Sequence, residues 1–351
     1  MTSRERVLTT FAHREPDRVP RWCGASIEFW AKARAALGLD DEGLRRRFGD
    51  DFRRADAPYR LGDQPLSSGA VSRTVFGIER AGIGYGQPLT HPLAEARSVA
   101  DVESWPWPDP SCVDTTNVRR EAEQWNREYA VLGGHWTPFW HDAIDLMGME
   151  ALYMKMYDAP DVIDAMLDRV VSFYVEANSR VFDVAADVMD IFFIANDFGS
   201  QTGPLMSLEC FQRFLLSPLK RLIDLGHRYN LLVQLHSCGG FEPLIPSMIE
   251  AGLDGLHAVQ PCCRGMDLTA LKRNYGDRIV FNGAVDSQHV LIEGPSPEFV
   301  KEKTREALRI MAPGGGYVAG ASHDAILEET PLENVLAMFD AIEEYGVYPV
   351  R

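Results

Sequence analysis

The chain has few cysteines, no long hydrophobic run and fewer basic than acidic residues. Six cysteines in 351 residues are too sparse for a disulfide scaffold, which predicts a reducing, cytoplasmic setting. No apolar stretch approaches the length of a membrane span. The first twenty residues are charged throughout and lack the apolar block of a signal peptide. We therefore expect a cytoplasmic protein without membrane association, with sulfur available for metal binding or catalysis.

The deficit of positive charge bears on the partners of the protein. Lysine and arginine number 35 against 51 aspartates and glutamates, so the formal charge is −16. Nucleic acids and anionic membranes attract basic surfaces, which argues against both as the main partner. An apolar content of 46% is ordinary for a globular protein with a sizeable core. A small-molecule substrate is the remaining expectation.

From residue 113 onward, strand-like and helix-like stretches alternate along the chain. Short apolar runs such as IFFIA and LLVQL are each followed by a helical stretch. Strands that alternate with helices predict parallel βαβ units. With one strand at 19–22 and one or two within 58–112, the strand count approaches eight. The economical interpretation is an α/β protein whose residues 1–351 form a single (β/α)8 TIM barrel.

Residues 58–112 interrupt this alternation. The stretch is rich in glycine, proline and serine, and turn residues separate its short strand-like runs. This composition predicts antiparallel strands rather than a βα unit. We interpret it as an irregular insertion within the barrel, because no linker of disordered composition flanks it. Residues 27–60, just before it, are predicted to be mostly helical.

The stretch LLVQLHSCGG, residues 231–240, is the strongest chemical signal in the sequence. An apolar strand runs into His236 and Cys238, on a loop that Gly239 and Gly240 leave free to turn. Histidine and cysteine are common zinc ligands, and the thiolate is also a nucleophile. The alternative is a core histidine beside a buried, inert cysteine.

Polar side chains follow nearly every predicted strand. Because the loops at the carboxyl ends of barrel strands build the active site, these residues are expected to meet, which favours an enzyme. The strand-end residues expected to bind substrate are Glu28, His135, Trp136, Asn196, Gln260 and Asn282.

Two subsets of the strand-end residues suggest specific chemistry. His236 and Cys238 could form a three-ligand zinc site with His323, or with Cys262 or Cys263, and leave a fourth position open as catalytic zinc sites do. For general acid–base work or stabilisation of a cation, the candidates are Asp51, Asp197, Asp286 and His323. Each aspartate alone is more often a loop cap.

Four segments of the sequence resemble one known superfamily. RERVLTTFAHREPDRVP, NDFGSQTGPLMS, LHSCGGFEPLIPSMIEAGLDGL and PGGGYVAGASHDAILEETPLENV are similar, in this order, to the uroporphyrinogen decarboxylase superfamily. The resemblance runs over essentially the whole chain and implies a (β/α)8 barrel. It implies one of two chemistries: cofactor-free decarboxylation of porphyrinogen acetates, or methyl transfer that involves a corrinoid protein or a thiol such as coenzyme M and is often zinc-dependent.

Departures from the two patterns favour methyl transfer. The decarboxylases carry an arginine-rich signature resembling RQAGRY after the first strand, where this chain has RWCGASIE, with one arginine and the added carboxylate of Glu28. Guanidinium forks that hold substrate carboxylates are therefore missing there. The zinc methyltransferases carry a His-x-Cys that matches His236 and Cys238. Their third cysteine falls near Ser322 and His323 in this chain, so its thiolate is absent.

The resemblance thus implies a zinc-dependent methyltransferase. It would move a methyl group between a small substrate, or a thiol, and a corrinoid (cobalamin) on a partner protein. His323 or Cys263 would replace the third zinc ligand, and Asp51 falls near the catalytic aspartate of the decarboxylases. The alternatives are a metal-free decarboxylase that uses Asp197 or Asp51, and a retired barrel that binds a tetrapyrrole or a protein. A homodimer is expected by analogy alone.

Overall fold

The computed structural model describes residues 1–60, 71–82 and 86–350. Its strands, in chain order, are β1 (Phe52–Arg54), β2 (Val71–Arg73), β3 (Glu79–Ala81), β4 (Gln87–Pro88), β5 (Ala130–Gly133), β6 (Ile191–Ala195), β7 (Gly199–Ser200), β8 (Gly203–Pro204), β9 (Leu232–His236), β10 (Gly255–Val259), β11 (Val280–Val285) and β12 (Tyr317–Ala321).

Helices separate most of these strands. They are α1 (Ser3–Phe11), α2 (Ile27–Leu37), α3 (Asp41–Phe48), α4 (Val99–Glu103), α5 (Val118–Trp125), α6 (Phe139–Met147), α7 (Met149–Asp158), α8 (Pro160–Ala185), α9 (Leu208–Cys210), α10 (Leu216–Arg228), α11 (Ile245–Glu250), α12 (Leu268–Tyr275), α13 (Pro297–Met311) and α14 (Leu332–Tyr345). Within the described ranges, no helix is both long and apolar enough to cross a membrane.

The central sheet is parallel, as the βαβ pattern predicts. Seven strands of the described chain pair side by side in the order β1-β5-β6-β9-β10-β11-β12. The segment around Arg21 lies between the two outer strands of this order. Trp22 donates its backbone N–H to Ala319 O of β12 at 2.9 Å, and Asp51 donates its own to Arg21 O at 3.0 Å. The predicted strand at 19–22 is reduced to an isolated parallel bridge at Arg21, in the eighth position, and the prediction of an α/β fold with a parallel sheet is confirmed.

Alternate residues of the barrel strands point inward and pack a mainly apolar interior. Helix α1 covers the end where the strands begin: Arg4 bonds Asp190, just before β6, at 2.9 Å, and Arg6 bonds Asp51, just before β1, at 2.7 Å. Interior side chains include Val7, Phe11, Trp22, Phe52, Ala130, Leu132, Ile191, Phe193, Val280 and Val318. With one end of the barrel closed in this way, the opposite end is the one open to ligands.

Part of the predicted excursion at 58–112 is antiparallel. Strands β2, β3 and β4 form a small antiparallel sheet, whereas residues 61–70 and 83–85 of the stretch lie outside the described residues. Its status as an insertion stays a prediction. The prediction for 27–60 needs one correction: α2 and α3 are helical, but residues 52–54 form strand β1.

Candidate functional site

The carboxyl ends of β6 and β9 bring three potential ligand atoms together. His236 ends β9, Cys238 follows two residues later, and Asp197 lies two residues beyond β6. His236 Nε2 is 3.4 Å from Cys238 Sγ and 3.6 Å from Asp197 Oδ1. Cys238 also donates its backbone N–H to Asp197 Oδ1 at 2.7 Å. Nitrogen, sulfur and oxygen donors thus lie within 4.8 Å of one another, a grouping that could hold a metal ion.

Glycine allows the loop that carries Cys238 to pass close to the β7–β8 hairpin. Gly239 has a φ of +86°, and a Cβ there would stand 2.3 Å from Gly199 C and 2.5 Å from Ser200 N. Those neighbours are backbone atoms and cannot turn aside as a flexible side chain would. The glycine at this position is therefore required for the observed approach of the loop.

Histidines surround the Asp197 carboxylate and control its charge. Burial raises the pKa of Asp197, but the hydrogen bond with His141 Nε2, at 3.2 Å, and the nearby ring of His236 outweigh it, so the pKa lies below its usual range. Burial, followed by the Asp197 charge, raises the pKa of the Cys238 thiol. Without a cation, the pair is therefore a carboxylate beside a protonated thiol.

His257 is a functional candidate that the sequence reasoning missed. It lies in β10 in register with His236, is fully buried, and its Nδ1 is 3.0 Å from His236 Nδ1. Its ring packs against Trp22 and Phe193, with centroid distances of 4.8 and 5.5 Å. His236, His257 and Asp324 form a second grouping of potential metal ligands. A polar residue inside the apolar run GLHAV was the available signal.

The two expected replacements for a third zinc ligand, His323 and Cys263, lie outside the groupings of three donors in the part of the chain that the structure describes. His323 Nδ1 accepts the backbone N–H of Ala325 at 3.1 Å, and Cys263 Sγ donates to Gln260 Oε1 at 3.5 Å. Within the described residues, Asp197, from the neighbouring strand, is the third donor grouped with His236 and Cys238, and His323 or Cys263 as a zinc ligand stays a prediction.

Two cavities open on either side of the loop that follows β12. The first, of about 380 Å³, is lined by Trp22, Arg54, His135, Trp136 and Asp324, among others. The second, of about 440 Å³, is lined by Gln260, Cys262, Cys263, Asp286 and His323, among others. Both lie in the lower part of the range typical of small-molecule sites, roughly 300–1,000 Å³.

Three of the six residues predicted to bind substrate lie at these cavities. His135 stacks parallel on Tyr59 at 4.4 Å, and burial lowers its pKa to about 4, so the ring is neutral at physiological pH. Trp136 packs near His236, with ring centroids 5.9 Å apart. Gln260 Oε1 accepts the backbone N–H of Gly239 at 2.5 Å.

The other three residues predicted to bind substrate are not among those that line the two cavities. Asn196 is fully buried and its Oδ1 accepts the backbone N–H of Trp140 at 2.8 Å, so it holds a loop. Asn282 lies inside β11 rather than after it, fully buried, and its amide atoms lack a partner within the described chain. Glu28 lies in the first turn of α2. Asp286, predicted to be catalytic, caps the turn after β11 by accepting the N–H groups of Gln288 and His289.

Asp51 lies at the wrong end of its strand for catalysis at the barrel mouth. It precedes β1, is fully buried, and accepts hydrogen bonds from Arg6 at 2.7 Å and Arg18 at 2.9 Å. This position favours a structural role for Asp51, and its catalytic role stays a prediction. At the other end of β1, Arg54 bonds Asp56 at 2.9 Å, and both line the first cavity. Because β1 was not predicted, neither residue was singled out.

A parallel barrel with polar residues gathered at the carboxyl ends of its strands defines a (β/α)8 protein with an enzyme-like site. The chain belongs to the uroporphyrinogen decarboxylase (URO-D) family, whose model matches residues 83–345. The resemblance noted in the sequence is therefore confirmed at the level of the family.

Curated relatives fall into two groups. A methylcobamide:CoM methyltransferase, MtaA of Methanosarcina barkeri, is 27% identical over 207 residues, which cover 58% of this chain and 55% of that protein. The chain thus spans about half the length of that relative. A uroporphyrinogen decarboxylase of Alkalilimnicola ehrlichii is 26% identical over 278 residues, which cover 74% of this chain and 70% of that protein.

A solved structure supports the fold independently. A methyltransferase from Methanosarcina mazei superposes with a TM-score of 0.71 and covers 98% of this chain and 99% of its own. At 21% sequence identity, this likeness concerns the fold alone.

Proposed function

We propose that this chain is a zinc-dependent methyltransferase that moves a methyl group between a small substrate, or a thiol such as coenzyme M, and a corrinoid on a partner protein. The observation that carries the proposal is the convergence of Asp197, His236 and Cys238 at the open end of the barrel. The relatives named methylcobamide:CoM methyltransferases support it.

The donor set fits zinc. Imidazole nitrogen, thiolate sulfur and carboxylate oxygen are the three ligand types that zinc uses in proteins, and three protein ligands leave one position for substrate. His236, Cys238 and Asp197 would hold the ion. When bound, zinc supplies a Lewis acid that lowers the pKa of a coordinated heteroatom such as a thiol sulfur.

The surrounding residues hold this set in place. His141 bonds Asp197 Oδ2 at 3.2 Å, which leaves Oδ1 directed at His236 and the Cys238 amide. His257 contacts His236 Nδ1 and thereby turns Nε2 toward Cys238. Such outer contacts orient ligands and tune their basicity.

Methyl transfer itself provides the test. Zinc-reconstituted protein, methylcobalamin and coenzyme M are expected to give demethylated cobalamin, followed by its absorbance change, together with the methylated thiol, detected by mass spectrometry. The Cys238→Ala variant should lose this activity, and the exposed-histidine variant His289→Ala should keep it. Zinc-loaded protein that transfers no methyl group from methylcobalamin to coenzyme M or to a panel of small thiols would contradict the proposal.

A specific observation favours decarboxylation as the second candidate. Arg54 and Asp56 line the first cavity, where a guanidinium could hold a substrate carboxylate and the aspartate could stabilise a positive charge. The decarboxylase relative covers more of this chain than the methyltransferase does. Release of CO2 from a carboxylated substrate, lost in Arg54→Ala and kept in Cys238→Ala, would favour this candidate over methyl transfer.

A further inference from the structure

The second cavity carries two adjacent cysteines that the proposed function does not use. Cys262 is exposed and Cys263 is buried, and both occupy the turn after β10. The two cysteines are neighbours along the chain, and both line the cavity of about 440 Å³. Cys262 is thus a solvent-facing thiol beside a second, sheltered thiol.

Direct oxidation of this pair to a disulfide is geometrically unfavourable. The Cα atoms of neighbouring residues joined by a trans peptide are about 3.8 Å apart. Disulfides normally join Cα atoms about 4.4–6.8 Å apart. A single atom inserted between the two sulfurs lengthens the bridge and relieves this restriction. The pair is therefore better suited to holding such an atom than to forming a disulfide.

A cation that needs three or more protein ligands also fits this pair poorly. Across the described ranges, the groupings of three or more potential ligands contain neither Cys262 nor Cys263. Structural zinc takes four protein ligands and catalytic zinc takes three. Sulfur pairs instead select soft centres that are satisfied by two thiolates.

We propose that Cys262 and Cys263 form a dithiol site for a thiophilic centre that binds two sulfurs, of which a trivalent organoarsenical, R–As=O, is the representative ligand. The reaction is balanced without an oxidant. Two As–S bonds form, the As=O bond breaks, and the two thiol protons leave with the oxygen as water. Arsenic remains trivalent, and the organic group R occupies the cavity.

Both thiols of the pair carry the protons that the balanced reaction removes as water. Burial, followed by the charge of Asp286, raises the pKa of Cys262 to about 12, and burial raises that of Cys263. Protonated thiols are slow in ordinary thiolate reactions. Capture by R–As=O consumes two thiols and expels their protons as water. The site is independent of the proposed methyl transfer, which uses Cys238.

Phenylarsine oxide added to the full-length protein tests the site. We expect one phenylarsenic adduct per chain in intact-mass spectra, with two fewer thiols titrated by Ellman's reagent in denaturant. The adduct should resist excess mercaptoethanol and be removed by dimercaptopropanol, because two As–S bonds in one ring outcompete separate monothiols. Cys262→Ser and Cys263→Ser should each abolish the resistant adduct.

Two further variants test whether Cys262 and Cys263 supply the two sulfurs that bind arsenic. Cys112→Ser, a partly buried cysteine elsewhere in the chain, should keep the resistant adduct. Cys238→Ser should also keep it, whereas its loss there would mean that arsenic bridges Cys238 and Cys263 and would overturn the proposal. Retention of the resistant adduct by Cys262→Ser, or its absence from the unaltered protein, would overturn it as well.

Discussion

His236 presents its two ring nitrogens to two different neighbours. Nε2 faces Cys238 and Asp197, whereas Nδ1 is 3.0 Å from His257 Nδ1. Two neutral imidazoles in such contact share one proton between the facing nitrogens, and the hydrogen bond sets the ring orientation. Nε2 is thereby the atom that remains directed at the candidate metal position.

Asp197 is predicted to be the third zinc ligand. Replacement of Asp197 by Asn removes the anionic donor, and the zinc affinity should fall by at least about the 10–100-fold typical of lost outer contacts. Competition with a chromophoric chelator measures this change.

His323 and Cys263 serve as matched comparisons, because each is a potential ligand at a strand end outside both donor groupings. His323→Ala and Cys263→Ala should bind zinc nearly as tightly as the unaltered protein. A large loss of affinity in either of them, with Asp197→Asn unaffected, would restore the ligand set expected from sequence.

Asp51 is predicted to stabilise the folded state. The side chain is fully buried between Arg6 and Arg18. Truncation to alanine leaves Arg18 without this carboxylate and Arg6 with Asp17 as its remaining carboxylate partner. Breaking a buried pair in this way costs about 3–5 kcal/mol, so Asp51→Ala should unfold at clearly lower urea concentration.

The exposed pair of Asp168 with Arg221 provides the control. Asp168→Ala should change the free energy of unfolding by no more than about 1 kcal/mol. A stable Asp51→Ala protein that had lost activity would instead argue for a catalytic role.

At the scale of elements, the loop after β9 depends on Gly239. A Cβ at this position would strike the backbone of Gly199 and Ser200, so Gly239→Ala should displace Cys238 and weaken zinc binding. The expected result is a loss of zinc affinity together with lower thermal stability, measured by chelator competition and melting.

Substitution of Gly314 is the control that separates the strain of a positive φ from the clash of an added Cβ. It also has a positive φ, +81°, but a Cβ added there would meet nothing within 4 Å. Gly314→Ala should show only the strain of an L residue in this region, about 1–2 kcal/mol, with unchanged zinc affinity. Equal effects of both substitutions on zinc binding would contradict the role assigned to Gly239.

The sequence predicts the long repeating elements well. The alternation of strands and helices predicted from residue 113 onward is present in the structure, because the apolar spacing of these elements is regular and their ends carry clear stop signals. Strand β1 could not be found in this way, since it has three residues and two of them are arginines. It is held by its neighbours: it pairs with β5, and Arg53 lies over Tyr129 at 3.8 Å.

The need for a regular apolar pattern also explains which residues of the candidate site were predicted from the sequence. Strand-end positions identified Asp197, His236 and Cys238 because β6 and β9 are apolar and unmistakable. The resemblance directed attention to Asp51, and because β1 was not predicted, Arg54 and Asp56 were not singled out. The position of His257 beside His236 depends on the register between two strands. The residue that can serve as a third metal ligand depends on how the loops turn. The spacing of residues along the chain encodes neither.

For the whole molecule, family membership and barrel architecture are established, whereas the reaction is our proposal. The relatives named for methyl transfer and for decarboxylation match this chain with similar identity, 27% and 26%. Overall similarity therefore does not separate the two chemistries, and the donor set at the barrel mouth has to do so. The single-domain organisation and the homodimer remain expectations.

Zinc content of the purified protein tests the central claim most directly. Elemental analysis after reconstitution and desalting should give about one zinc per chain. His236→Ala and Cys238→Ala should lose it, and Cys112→Ala, a matched change of a thiol outside the site, should keep it. Absence of zinc from the reconstituted protein, or its full retention in both site variants, would contradict the metal-dependent account.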